Sequence, residues 1–465
     1  MSINRFFNSS LILFADQLVT AAGGWLYWLV FSKLLFPGEI GIATTVYSLA
    51  ALMALFSELG LEYPLLKKTS ANPSQALGTS IILQIGLILT MVPILFLLMN
   101  NFYSESIRDF VWIAIIIMAF TSLSFVLRYF LLATFSTKYV FVLNTASTVS
   151  KFVIAYLFVS MGFEAMGLLL SLVSQALILS MSYLALSIKR YHLSFGGLQY
   201  LKSFLKDGLA NTPAKLARML SLNLSIVLLA SFGIANSDVG TFYIALMISI
   251  AVGSLIVGMA YMIIPTSTES GENLSMLSLK YSISLTAPLI AGLITAPTFI
   301  LSLIGTQYSI QDVSLIILSV AILPYSILTT SISGFNLTSD SMKIIIVGAI
   351  QVVIFLFGFV YLVPLLGTVG TSLAILLAFT GSSVPCLIWT DRMATRYLVN
   401  SAVAVAVGWL LGFSILQFTH ESVHNFVHIA AILASMAVTL LCLLVLKNLS
   451  VAELRQVIGS SLRIP

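Results

Sequence analysis

The chain has 465 residues and a formal net charge of +5, yet only 8% of its residues are charged and 59% are hydrophobic. Because soluble domains carry about 25% charged residues, this composition excludes a water-soluble protein. It indicates an all-α, polytopic membrane protein, since continuous apolar runs of about 20 residues match a bilayer-spanning helix rather than a barrel strand.

The apolar runs predict about fourteen transmembrane helices. In chain order they cover residues 10–31, 40–61, 76–99, 110–133, 140–160, 165–187, 209–231, 239–263, 281–303, 313–335, 343–363, 367–390, 397–419 and 427–446. With this count, both termini lie on the same side of the membrane. Nearly all the lysines and arginines of the connecting segments lie on that side, and Lys33 and Arg108 lie on the other. Because basic loops stay inside, we expect both termini in the cytoplasm and the chain in the cytoplasmic (inner) membrane.

The first two predicted spans each contain an acid. Asp16 lies in the first span, four residues before Thr20, and Glu58 lies near the cytoplasmic end of the second. Glu58 and Arg128 are close enough to helix ends to extend towards the membrane surface. Trp25, Tyr27 and Trp28 are typical of an aromatic belt at the outer surface, and stacking against a sugar ring is the alternative.

Cations occur inside the fifth and seventh predicted spans. Asn144, Thr148 and Lys151 follow one another at i, i+4 and i+7, and so do Asn211, Lys215 and Arg218. This spacing places each set on one face of a helix. Lys215 and Arg218 lie about 12 and about 16 Å into the membrane at 1.5 Å per residue.

A cation facing lipid at the bilayer centre costs about 2.5–3.5 kcal/mol on insertion scales. We therefore expect Lys151, Lys215 and Arg218 to face water, an anion or an acid. One interpretation pairs Asp16 with Lys215. A second makes Asp16 a protonatable group that couples transport to an H⁺ or Na⁺ gradient. Because three cations face one acid, we expect a positive surplus that attracts an anionic head group.

An internal repeat relates the two halves of the chain. Glu39-Ile40-Gly41 corresponds to Asp238-Val239-Gly240 at an offset of 199 residues, and the same offset relates Asp16 to Lys215. The repeat predicts six-helix bundles at 1–190 and 200–395, followed by a terminal helix pair with a cytoplasmic tail at 396–465. A parallel repeat of this kind predicts a substrate site between the halves.

Motifs of nucleotide-binding, metalloprotease and hydrolase sites are missing from the sequence, so we expect no enzymatic activity. Cys386 and Cys442 have no metal-site or disulfide spacing. His420, His424 and His428 lie in a predicted outer loop, where solvation is the expected state. We predict no metal site and no cofactor other than a possible H⁺ or Na⁺ coupling ion, and no nucleic-acid partner.

Two long stretches carry a resemblance to a known family. "FSKLLFPGEIGIATTVYSLAALMALFSELGLEYPLLKK" (31–68) resembles the opening signature of polysaccharide export proteins, and "LKDGLANTPAKLARMLSLNLSIVLLASFGIANSDVGTFYIA" (205–245) is similar to the start of their second half. The resemblance is to Wzx-type flippases of the multidrug/oligosaccharidyl-lipid/polysaccharide superfamily. It implies a MATE-like fold of two six-helix bundles and a cationic central cavity, which corresponds here to Lys215, Arg218 and Lys151.

The resemblance implies a function in polysaccharide, such as O-antigen, biosynthesis. The hypothesis is a flippase that moves a polyprenyl pyrophosphate-linked oligosaccharide to the outer leaflet by alternating access. Lys215, Arg218 and Lys151 would bind the pyrophosphate, and Asp16, Asn211, Asn144 and Glu58 would line or gate the cavity or couple an ion. Expected partners are the lipid-linked substrate, the bilayer and a glycan polymerase or other assembly protein. The alternatives are a cation-coupled multidrug exporter and a non-transporting scaffold of a glycan-assembly complex.

Overall fold

The computed structural model describes the backbone of residues 3–69, 72–270, 274–338, 340–418 and 425–450. Within these ranges, the side chains of residues 3–11 and 210–222 are not described, nor are those of several positions in 13–21, 63–67 and 261–270. The described backbone is mostly helical and contains no strand. It separates into two compact units, Met1–Tyr243 and Ile244–Pro465.

Ten helices begin in the first unit: α1 Ile3–Phe31, α2 Pro37–Glu58, α3 Glu62–Lys68, α4 Pro73–Phe102, α5 Glu105–Arg108, α6 Val111–Ala133, α7 Thr137–Ser160, α8 Glu164–Arg190, α9 Gly197–Ser231 and α10 Asn236–Ser270. The other six are α11 Ser275–Thr295, α12 Pro297–Ser302, α13 Asp312–Leu337, α14 Ser341–Trp389, α15 Arg392–Phe418 and α16 Asn425–Val445. Each predicted span coincides with helical chain; the span 281–303 covers two helices, α11 and α12, and the spans 343–363 and 367–390 share α14. The expected bundle limits at 190, 200 and 395 stay a prediction.

Eleven helices within the described residues are long and apolar enough to cross a membrane. One of them, α14, has 49 residues and breaks at Gly367, whose φ is 57°. At 1.5 Å per residue it is about 74 Å long, which is sufficient for the two spans predicted at 343–363 and 367–390. The chain is thus a multi-pass membrane protein. The count of fourteen and the orientation stay predictions.

Local backbone chemistry moves two of the predicted boundaries. The predicted span 40–61 ends early, at Glu58, because Leu59 adopts a left-handed conformation with φ 41°. The predicted span 281–303 is wrong as a single helix. It is divided at Ala296, where Pro297 begins α12, since proline is tolerated in the first turn of a helix and the residue before it is pushed out of the helical region.

The segment before the seventh predicted span is part of the same helix as the span. α9 begins at Gly197, and Lys68 of α3 forms an ion pair of 2.8 Å with Asp207 and donates to Ser203 Oγ at 2.6 Å. A Cβ on Gly208 would lie 2.5 Å from the carbonyl oxygen of Leu59. The first turns of α9 are therefore packed closely against the chain that follows α2.

Gly41 of α2 and Gly240 of α10, which occupy equivalent positions in the internal repeat, each contact the helix that carries the other. A Cβ on Gly41 would overlap the carbonyl oxygen of Asn236, and a Cβ on Gly240 would overlap that of Pro37. Pro37 and Asn236 are themselves separated by the repeat offset of 199 residues. The contact is therefore reciprocal, as it is between residues close to a twofold axis, and it requires glycine on both sides.

In the second unit, close helix packing again depends on small residues. Gly408 and Gly412 form a G-x-x-x-G pattern on α15, and a Cβ on Gly408 would lie 2.6 Å from the carbonyl oxygen of Ser435 on α16. Thr295 of α11 donates to Ser435 Oγ at 2.9 Å. Small residues allow backbones to approach and buried hydroxyl groups to bond across helices, which is how membrane helices associate.

Candidate functional site

Polar residues form one continuous contact between α1 and α7, which we call the α1–α7 seam. It consists of Asp16, Thr20, Gly23 and Tyr27 on α1 and of Asn144, Thr148 and Lys151 on α7. The α7 set follows the i, i+4, i+7 spacing that defines one face of a helix, and the α1 set follows the same spacing with Tyr27 added at i+11. The contacts occur in the same order along both helices, so the two predicted polar faces lie against each other.

At one end of the seam, Asp16 is fully buried and has two partners. Arg128 of α6 donates from Nη2 to Asp16 Oδ2 and forms an ion pair with it. Asn144 Nδ2 donates to Asp16 Oδ1 and to Thr20 Oγ1, both at 2.7 Å. The carboxylate is therefore held by one cation and one amide, each from a different helix.

This arrangement corrects the interpretation of Arg128. The sequence suggested that its side chain extends towards the membrane surface, but it turns inward and its side chain is only 18% exposed. The pairing of Asp16 with Lys215 lies outside the described side chains. Among the described ones, the cation bound to Asp16 is Arg128.

Further along the seam, Lys151 is only 6% exposed. Its Nζ lies 4.5 Å from the centre of the Tyr27 ring. The Tyr27 hydroxyl is fixed 2.7 Å from Ser171 Oγ and donates to the carbonyl oxygen of Leu168 at 3.2 Å. Among the described side chains, no carboxylate forms an ion pair with Lys151.

The electrostatic balance of the described seam is therefore positive. Asp16 and Arg128 compensate each other, and Lys151 remains as the surplus charge. An aromatic face attracts a cation by about 0.5–2 kcal/mol without removing its charge. Because burying an unpaired ammonium is costly, this position is suited to an anion.

Two aromatic residues of α1, Tyr27 and Trp28, lie in the protein interior. Tyr27 is fully buried and Trp28 is 5% exposed. Tyr27 packs edge-on against Phe152 at 5.5 Å, and Trp28 packs edge-on against Tyr243 at 5.0 Å. The prediction of an aromatic belt at the membrane surface is wrong for Tyr27 and Trp28, because both side chains point into helix contacts.

The remaining predicted site residues are one acid on α2 and three residues on α9. Glu58 is the last residue of α2 and is 2% exposed. Asn211, Lys215 and Arg218 belong to α9 by their backbone, but their side chains lie outside the described residues, so their role stays a prediction. His420 and His424 also lie outside the described residues, and the His428 ring stacks on Phe299 at 4.8 Å.

A cavity of about 300 Å³ lies in the second unit, between the ends of α11, α13 and α14. Asp340 and Lys343 line it and form an ion pair of 2.9 Å. The hydrogen bond from Lys343 and a second one from Thr338 hold the pKa of Asp340 below its usual value. Asp340 is thus already neutralised by Lys343, and a second acid, Asp391, also lines the cavity.

Known structures share this fold. The lipid II flippase MurJ in an inward closed conformation superposes with a TM-score of 0.74 at 14% identity, over 94% of this chain and 98% of MurJ. A MATE transporter from Vibrio cholerae gives a TM-score of 0.55 at 12% identity, over 86% of this chain and 97% of the transporter. A MATE structure in a bent conformation gives a TM-score of 0.54 at 15% identity, over 85% of this chain and 97% of that structure. The predicted MATE-like fold is thus confirmed, and MurJ shares it.

Comparison of the sequence with family profiles identifies the family of the chain. A comparison with curated proteins finds no significant match. The profile of a family described as polysaccharide biosynthesis protein, however, matches residues 7–271, which is more than half of the chain and includes the whole α1–α7 seam. The chain therefore belongs to the polysaccharide biosynthesis protein family.

Proposed function

We propose that the chain translocates an oligosaccharide linked to polyprenyl pyrophosphate from the cytoplasmic to the outer leaflet of the membrane. The family, the fold shared with a lipid II flippase and the electrostatics of the α1–α7 seam support this proposal. The observation that carries it is Lys151, a buried cation without an acidic partner among the described side chains.

A pyrophosphate suits the seam for a simple electrostatic reason. A diphosphate brings several anionic oxygens, and charge-assisted hydrogen bonds to an ammonium contribute about 1.5–3 kcal/mol. Lys151 would provide one such contact, and Lys215 and Arg218 of α9 would provide others. Alternating access would then expose the loaded site first to one side of the membrane and afterwards to the other.

The charge distribution favours an anionic substrate over a cationic drug. An exporter of organic cations needs acidic residues free to bind them, and Asp16, the acid of the seam, is already paired with Arg128. Asp16 and Asn144 would on this view position the seam or couple an ion. A non-transporting scaffold would need no surplus cation at all.

Transport by purified protein in liposomes separates these functions. The measurement is the rate at which a labelled polyprenyl pyrophosphate oligosaccharide appears in the opposite leaflet. Lys151→Met keeps the length of the side chain and removes its charge, and we expect it to lower the rate about tenfold or more, since a charge-assisted contact is worth about 1.5–3 kcal/mol.

The matched control is Lys33→Met, which removes an exposed lysine in the turn that follows α1. It should flip at the rate of the wild type. Equal rates for Lys151→Met and the control would remove Lys151 from the site. Absence of flipping by wild-type protein, with intact reconstitution, would favour the scaffold, and export of an organic cation instead would favour the multidrug exporter.

A further inference from the structure

A groove of about 310 Å³ lies between α7 and α8, on a different surface from the α1–α7 seam. Tyr139, Val142 and Leu143 from the first two turns of α7 form one wall. Ser182, Ala185 and Leu186 from α8 form the other, with Lys189 at the end. The lining is therefore almost wholly apolar with one cation at its margin, a combination that fits an amphiphile.

The groove faces away from the seam. Val142 and Val149 are 59% and 58% exposed. Val142 precedes the buried seam residue Asn144 by two positions, and Val149 precedes the buried seam residue Lys151 by two positions. Two positions correspond to about 200° around a helix of 3.6 residues per turn. Because these exposed valines belong to a membrane-spanning helix, this face of α7 contacts the hydrocarbon of the bilayer.

Three exposed cations lie on the first turn of α7 and the last turn of α8: Lys138, Lys189 and Arg190. Lys189 lines the groove. The Arg190 guanidinium stacks on the Tyr139 ring at 4.6 Å and donates to Ser136 Oγ at 2.9 Å. In the described part of the chain, none of the three cations forms an ion pair with a carboxylate. They belong to the end of the helices that the charge distribution predicts to be cytoplasmic, where the anionic lipids of the inner leaflet place their phosphates.

We propose that this groove binds an anionic phospholipid of the cytoplasmic leaflet. One acyl chain occupies the apolar groove between α7 and α8. The head-group phosphate lies at the membrane surface, within reach of Lys189 and close to Lys138 and Arg190. Basic sites between transmembrane helices on the cytoplasmic side bind anionic head groups in this way.

A membrane phospholipid fits the groove better than the polyprenyl carrier does. The pyrophosphate of the carrier is assigned above to Lys151, which points to the opposite face of α7. The groove, in contrast, has its cations at the level of the lipid head groups. Its role is therefore to anchor a membrane lipid beside the transport path.

The test measures lipid binding to the purified full-length protein in detergent by native mass spectrometry. Dioleoyl phosphatidylglycerol is compared with dioleoyl phosphatidylcholine, which has the same acyl chains and no net charge. We expect the wild type to prefer phosphatidylglycerol and the variant Lys138→Gln/Lys189→Gln to lose that preference. The loss should be about fivefold per cation, because each basic residue at an anionic surface contributes about 1 kcal/mol.

Two further variants make the outcome specific to the groove. Lys202→Gln removes an exposed lysine that does not line the groove and should retain the preference. Ala185→Phe fills the groove and should weaken binding of both lipids. Equal binding of the two lipids by the wild type would overturn the proposal. So would a Lys202→Gln control that loses the preference for phosphatidylglycerol as much as Lys138→Gln/Lys189→Gln does. Displacement of bound phosphatidylglycerol by an uncharged polyprenol would assign the groove to the carrier chain and overturn it too.

Discussion

At the scale of the residue, the two carboxylate oxygens of Asp16 have different partners. Arg128 occupies one oxygen and the Asn144 amide occupies the other. Breaking a buried ion pair by removing one partner costs about 3–5 kcal/mol, because the other charge stays buried, whereas replacing both partners by uncharged groups of similar size is often neutral.

This asymmetry predicts the behaviour of three variants. Asp16→Asn and Arg128→Met should each lower the melting temperature in detergent, because each leaves one charge unpaired. The double variant Asp16→Asn/Arg128→Met should recover most of the loss. If the two single effects simply add in the double variant, the pair is not coupled in the folded protein.

The sequence predicted part of this site. Helical spacing placed Asn144 and Lys151 on one face of α7 and identified Asp16 as a buried acid. It did not identify Arg128 or Tyr27 as their partners, because the rotation of α6 and α1 in the packed bundle decides which side chains meet. The position of Arg128, five residues before the end of α6 at Ala133, was equally compatible with a side chain at the membrane surface.

At the scale of the element, the packing of α1 on α7 depends on Gly23. A Cβ at this position would lie 2.6 Å from the Cγ2 methyl of Thr148, and the adjacent Gly24 has no atom within 4 Å of its position. Thr148 also donates from its hydroxyl to the carbonyl oxygen of Asn144 at 2.9 Å. The threonine methyl is therefore the atom that excludes a side chain from residue 23.

A complementary pair of substitutions tests this contact. Gly23→Ala should destabilise the protein by about 1–3 kcal/mol, the usual cost of overpacking, while Gly24→Ala should not. Thr148→Ser removes the methyl and keeps the hydroxyl, so Gly23→Ala/Thr148→Ser should be more stable than Gly23→Ala alone. Thermal unfolding in detergent measures all four variants. A double variant no better than Gly23→Ala would show that another contact limits the approach.

At the scale of the whole molecule, hydropathy was sufficient to place all but one of the predicted spans within a single helix, the exception being 281–303. It could not predict the interruption at Ala296, which depends on the proline that follows. It also placed the start of the seventh span at residue 209, whereas α9 begins at Gly197, because the residues before the span include Lys206 and Asp207 and are not apolar. The internal repeat was visible in few identities, and its clearest expression is the reciprocal contact of Gly41 and Gly240.

The repeat predicts that these two glycines respond alike. Gly41→Ala and Gly240→Ala each place a methyl group against a backbone oxygen of the other helix, and backbone cannot move away as a side chain can. Both should lower the melting temperature by similar amounts and reduce flipping in liposomes. Gly38→Ala is the control, since nothing lies within 4 Å of its position. A harmless Gly41→Ala would contradict the close approach.

The same contact bears on how such a chain could arise. If two identical half-length proteins paired in a membrane, the glycine equivalent to Gly41 and Gly240 would be buried in both copies. The start of the same helix in each copy would pack against that of the other. Duplication and fusion of the gene would carry the pairing over unchanged. Later divergence could then alter nearly every neighbouring side chain, provided that both positions kept only a hydrogen atom.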